Sequence, residues 1–196
     1  MIRRNELRDM CANLLTETCH NVRIEPVLHP LSGEQMSMAT AAIGDAAHPD
    51  IVASGFWGGR FQRTFFDVRV FNPNVRSNLS SQMPALYCCY ERTKRNQYEQ
   101  RTREVEHGTF APLVWSTSGG AGPSATAFPK RIASKLSEKR DAYELYSGLM
   151  GWLRCRFGSA LIRSAVMCLR GARSAVGRPM LTDAALAKAE GHYLSA

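Results

Sequence analysis

Two aspartates, Asp50 and Asp67, flank a segment that reads as a β-hairpin. The runs at 50–56 (DIVASGF) and 63–72 (RTFFDVRVFN) are rich in β-branched and aromatic residues. Between them, Gly58-Gly59 suits a two-residue type I′ turn, whose central positions both need positive φ. A turn centred there sets Asp50 directly opposite Asp67, with Cβ atoms about 5 Å apart. Like charges so placed weaken a sheet. A divalent cation with oxygen ligands would turn that repulsion into a binding site. Arg69 lies two residues beyond Asp67 and shares its face of the strand. The plainer alternatives are a solvated strand-start carboxylate for Asp50 and an ion pair with Arg63 or Arg69 for Asp67. The strand around Asp67 looks central, and a buried aspartate without a partner is costly.

The surrounding elements decide what else reaches this pair. Helical spacing of Leu7, Met10, Cys11, Leu14 and Leu15 predicts a helix over 3–20. Residues 22–28 alternate as a strand, with Pro26 pushing it toward an edge or bulge. Loops follow at 29–49 and 73–82, a long charged helix at 84–107 and a strand at 110–116. After the turn at 118–123, helices are expected at 124–140 and 142–173, with a break near Gly148 or Gly151. The last residues read as a frayed tail with a weak helix at 182–191. The order is α-β-β-β-α-β-α-α. A tight turn makes the first helix and first strand antiparallel. If strand 50–56 pairs antiparallel with 22–28, Glu6 sits at the same end of the sheet as Asp50. Glu6 is then a candidate third carboxylate; the alternative is that Glu6 and Asp9 favour the positive end of their helix.

The chain has 196 residues, 44% hydrophobic and 21% charged, which suffices for one domain with a real core and excludes general disorder. The expected organisation is a core at 1–140, a basic helical extension at 141–178 packed on it, and a poorly ordered tail at 179–196. The formal charge is +8, and it is local: residues 130–178 hold 11 Lys/Arg against 3 Asp/Glu, whereas 1–129 hold 13 against 12. Such clustering points to phosphates. Arg156, Arg163 and Arg170 are seven apart and share one helical stripe, and Leu149, Leu153, Phe157, Leu161 and Val166 can supply an apolar face. Lys130, Arg131 and Lys135, with Lys139 and Arg140, extend the charge on the preceding helix, and Arg173 and Arg178 extend it beyond. These residues are candidate contacts to a nucleic-acid backbone; a solvated helix face is the alternative. Arginines 154, 156 and 163 interrupt the longest apolar run, so a simple membrane span is not expected. With no signal-peptide core at the N-terminus, an intracellular protein, nuclear or cytoplasmic and not secreted, is expected. The six cysteines then read as buried free thiols. Cys19, His20 and His29 do not fit a common zinc spacing.

Gly120-Ala121-Gly122-Pro123-Ser124-Ala125 formally matches G-x-G-x-x-A. No βαβ series precedes it, so a dinucleotide fold is disfavoured. A milder reading is a helix N-terminus binding one phosphate through Gly120 and Gly122. The bland reading is a tight loop.

Pro49-Asp50, sixteen residues, then Asp67-Val68-Arg69 resembles the PD-(D/E)XK nuclease motif. The α-β-β-β-α-β order resembles the core of that superfamily. RNELRDMCANLLTE, GFWGGRFQRTFFDVRVFNP and YEQRTREVEHGTFAPLVWSTSGGAGPSA resemble the restriction-like endonuclease domain found downstream of the reverse transcriptase in non-LTR retrotransposons. The resemblance spans roughly residues 3–175. It implies an α/β, restriction-endonuclease-like fold: a mixed sheet flanked by helices, plus C-terminal basic helices. It implies Mg²⁺ or Mn²⁺ held by Asp50 and Asp67 with the Val68 carbonyl, DNA as substrate, phosphodiester hydrolysis that nicks DNA, and a reverse transcriptase as partner in a parent element. Arg69 stands where the family usually has lysine, and arginine cannot act as a general base. The resemblance implies a lysine supplied from the next helix, and Lys94, one turn before Tyr98, is the candidate. The sequence holds no polymerase and no Cys/His stretch ahead of the first helix. The implied origins are therefore a piece of a larger element protein, an inactive relic or a captured domain. Two other functions compete: a nuclease-like fold that only binds nucleic acid, and a nucleotide-binding protein using the Gly120–Gly122 turn.

Overall fold

The computed structural model describes residues 2–29, 48–139 and 145–171. Expectations for the 30–47 part of the first loop, for Arg140, Arg173 and Arg178, and for the 182–191 helix fall outside them, as does the side chain of Arg170.

The order is α1 (Ile2–Thr18), β1 (His20–Ile24), β2 (Ile51–Ser54), β3 (Arg63–Phe71), a 3-10 turn at Arg76–Asn78, α2 (Met83–Glu104), β4 (Thr109–Ser116), α3 (Pro123–Lys139) and α4 (Tyr146–Gly171). The sheet runs β1-β2-β3-β4. Its first two pairings are antiparallel and β3–β4 is parallel, which makes a mixed sheet flanked by helices. β1 starts and stops earlier than the sequence pattern suggests. Asn21 and Glu25 take φ of 51° and 49°, and the β1–β2 register slips between His20 and Arg23. A left-handed residue in a slipped ladder marks a bulge, and the second ends the strand before Pro26.

β3 sorts its side chains by alternation. Phe66 and Val68 join a core with Leu7, Leu14 and Leu15 of α1, Phe128 and Ile132 of α3, and Leu153 and Phe157 of α4. Phe56 stacks on Phe128 with ring centroids 5.3 Å apart, and Trp115 stacks on Phe157 at 5.6 Å. α4 therefore shares this core. It runs without a break through Gly148 and Gly151, which lie on its exposed side where no packing forces a kink. Val166 is exposed, contrary to its assignment to the apolar face.

The other face of β3 meets α2. There Phe65 packs with Leu28, Val52, Tyr98 and Phe110, while Phe71 packs with Leu86, Tyr87 and Val114. Asp67 and Arg69 fall between these two small clusters, on the same face. α2 looks highly charged because its sheet-facing side itself mixes aromatic and polar groups: Tyr87, Glu91, Tyr98 and Arg101 are buried.

Free thiols follow the same logic of faces. Cys11 and Cys19 are buried, but Cys88, Cys89 and Cys155 are exposed, which corrects the expectation of burial for those three. They sit on the outward sides of α2 and α4. Among the described residues no helix is long and apolar enough to cross a membrane.

Candidate active site

The β2–β3 hairpin sets the site. Its ladder runs from Ser54↔Arg63 to Ile51↔Phe66, one step short of Asp50↔Asp67. That is the register expected from a turn centred on Gly58-Gly59, but the turn itself differs. The connection spans residues 55–62, and the positive φ (+85°) belongs to Gly55, whose N–H donates to Gln62 O at 2.9 Å. The longer loop is symmetric about the same point, so the register survives the change of turn.

Asp50 leaves the ladder and replaces a backbone bond with a side-chain one: the Val68 N–H donates to its Oδ2 at 2.7 Å. Arg4 of α1 holds the same carboxylate with a fork. Its Nε lies 2.9 Å from Oδ1 and 3.0 Å from Oδ2, and its Nη2 donates to Oδ1 as well. Asp50 has no exposed surface. Asp67 is equally buried, and Lys94 Nζ of α2 lies 3.0 Å from its Oδ2. Asp67 Oδ1 has no hydrogen-bond partner among the described residues. Burial pushes the Asp67 carboxyl up to about 6; the Lys94 charge pulls it down, the Asp50 charge pushes it up, and Arg4 pulls it down. The two carboxylates are therefore electrostatic neighbours. Lys94 Nζ also lies 5.4 Å from the centroid of the Tyr98 ring, a cation–π contact that steers the ammonium. Arg69 is turned to the ring of Tyr90, 4.3 Å from its centroid. Asp50, Asp67 and Lys94 thus come together at the β2–β3–α2 junction, with Arg69 on the adjoining stretch of the same face.

Other candidates lie elsewhere. Glu6 accepts from Ser164 Oγ at 2.6 Å and pairs with Arg163 Nε at 3.3 Å, so its carboxylate is bound to α4. Among the described residues, no group of three or more His, Cys, Asp or Glu side chains is placed to hold a metal; Asp50 and Asp67 are two. Lys130, Arg131, Lys135, Arg156 and Arg163 belong to helices covering the opposite face of the sheet. Arg131 donates to Phe56 O at 2.9 Å, and Arg156 lies 4.7 Å from the Trp152 ring centroid.

The glycine turn does not form a phosphate cradle. Gly120 N–H donates to Ser116 Oγ at 3.1 Å and Gly122 N–H to Val114 O at 2.8 Å, so both donors are used within the chain. The N-terminus of α3 already holds an anion, the buried Glu91 carboxylate. It accepts from Ser124 N–H at 2.9 Å and Ser124 Oγ at 3.1 Å. Glycine is needed for close approach: a Cβ on Gly122 would stand 2.7 Å from Glu91 Oε1, and one on Gly120 would stand 2.1 Å from the Tyr87 hydroxyl. Glu91→Ala should cost about 1–3 kcal/mol, because the cap and a buried acceptor vanish together. Urea unfolding measures that loss, and the same variant should keep any activity centred on Asp67.

Glu106 forms a second buried anion, also unforeseen. Burial raises its carboxyl, but the His29 N–H and ring together with Arg63 outweigh this and hold it below the usual range. His29 Nδ1 lies 2.8 Å from Glu106 and is committed to it rather than to Cys19. Burial, with the Asp50 charge, pushes the Cys11 thiol far above its ordinary value, so it is no nucleophile. Compared with protein-family models and with curated proteins, the chain matches none.

Proposed function

We propose that the chain is a metal-dependent DNA endonuclease of restriction-like fold, which hydrolyses a phosphodiester bond and nicks DNA. The observation that carries this reading is Lys94 Nζ of α2 at 3.0 Å from Asp67, where the strand places Arg69 two residues beyond Asp67. The α-β-β-β-α-β order, the mixed sheet and the adjacent Asp50 support it.

Asp67 Oδ1, buried and without a hydrogen-bond partner among the described residues, suits a cation ligand, and an all-oxygen donor set suits Mg²⁺ or Mn²⁺. Asp50, Asp67 and the Val68 carbonyl would hold it. Such an ion supplies charge to the scissile phosphate and acidifies a bound water. The rest falls to the chain. Lys94 opposes the desolvation of Asp67 and so favours the carboxylate that a metal requires. Its ammonium is also placed to donate to a phosphate oxygen or to a water beside Asp67. Arg69 stays charged and can hold the flanking phosphate but cannot take a proton. The hydrophobic clusters around Phe65 and Phe71 keep the dielectric low on both sides, which strengthens each of these contacts.

The binding-only reading keeps one specific observation in its favour: Arg4 already occupies Asp50. Relaxation of supercoiled plasmid separates the two. The nuclease reading expects nicked circles with Mg²⁺ or Mn²⁺ and none with EDTA. Salt-sensitive DNA binding with no metal-dependent nicking would overturn it in favour of binding alone.

A further inference from the structure

We propose that Arg4 is an internal counter-cation that competes with the metal for Asp50 and is released onto the substrate phosphate. The proposal rests on the metal-site reading above. Asp50 is wholly buried and both of its oxygens are engaged, Oδ2 by the Val68 N–H and Arg4, Oδ1 by Arg4. Asp67, by contrast, still offers Oδ1. The pocket as it stands is electrically balanced, with two carboxylates against Arg4 and Lys94. Adding a divalent ion would leave it strongly positive and would require Asp50 to change partners. The Arg4 side chain is 34% exposed and lies in the first turn of α1, whereas Leu7, one turn on, is fully buried and anchors the helix. A phosphodiester offers the departing guanidinium an equivalent two-oxygen partner. Metal and DNA would then bind with positive coupling: each relieves the charge imbalance that the other creates, and the effect is reciprocal.

The test is Mn²⁺ binding to the full chain without DNA, followed by the loss of the free-ion electron paramagnetic resonance signal. Wild type, Arg4→Gln and Asp67→Asn are compared. Arg4→Gln is expected to bind Mn²⁺ about tenfold more tightly than wild type, within the usual range of such couplings. A short duplex should tighten binding to wild type but add little to Arg4→Gln. Removing Arg4 leaves a buried carboxylate unpaired, so the metal-free variant should melt lower and gain more from Mn²⁺ than wild type does. Should Arg4→Gln fail to fold without metal, Arg4→Lys keeps the charge without the fork and should show an intermediate gain in affinity. Equal or weaker Mn²⁺ binding by both Arg4 variants would overturn the role of Arg4 while leaving the metal site intact. Absence of Mn²⁺ binding in wild type and in every Arg4 variant would overturn the metal site, and this role with it.

Discussion

Asp67→Asn should abolish nicking and make the metal-free protein more stable at neutral pH. The loss of activity is expected to be roughly 10³-fold or more, because the substitution removes the carboxylate that would hold the proposed metal beside Lys94. The gain in stability follows from the raised carboxyl. Asp67 sits at about 6 in the folded chain against an ordinary 3.8. Between those values the folded state holds its proton while the unfolded state has released it. Stability therefore falls as pH rises through that window, and the penalty is complete above about pH 6. The shift corresponds to about 3 kcal/mol, less whatever Lys94 loses when its partner becomes neutral. Urea unfolding in EDTA should show Asp67→Asn more stable than wild type at pH 7.5, with the difference vanishing near pH 4. A wild type that is equally stable or more so at pH 7.5 would mean that Asp67 is well compensated in the fold.

Lys94→Met carries the second large effect. The methionine stem fills much of the same space but removes the charge 3.0 Å from Asp67. Burial then acts on Asp67 with less to oppose it, so its carboxyl should rise above 6. Nicking should fall by about 10²–10³-fold, the scale seen when one charge-stabilising donor is deleted. The pH dependence makes the claim specific. Metal must displace the Asp67 proton, so Mn²⁺ binding by wild type should weaken as pH falls through about 6. In Lys94→Met the same limb should move to higher pH. Titrations of Mn²⁺ at stepped pH read this directly, and an unmoved limb would detach Lys94 from the site.

The parts of this site legible in the sequence were those with a period or a symmetry. Alternation in RTFFDVRVF assigned Asp67 and Arg69 to one face, and the position of the glycine pair centred the hairpin so that Asp50 fell beside Asp67. The turn type differs from the expected two-residue turn because the hairpin widens symmetrically to eight residues, 55–62, and register alone does not report loop length. Lys94 was reachable only through the resemblance, since on a helix with Arg92 and Arg95 beside it nothing local marks it out. Arg4 could not be foreseen at all: its partner is 46 residues away, and a terminal arginine carries no pattern that points to a buried acid. The glycine turn misled for a related reason. A motif states that backbone must approach something closely, but here that something is Tyr87 and Glu91 of the chain itself. The basic residues of α3 and α4 likewise formed a genuine cluster in sequence, yet Arg131 and Arg163 are tied to Phe56 and Glu6 on the face away from Asp67.

We propose that Asp67, with Lys94 and Asp50, forms a metal-dependent phosphodiesterase centre. Its most direct test is to follow supercoiled plasmid with purified wild type and Asp67→Asn side by side, each with Mg²⁺ and with EDTA. Nicked circles are expected from wild type with Mg²⁺ and from no other combination. Equal nicking by both proteins would place the activity elsewhere and contradict it.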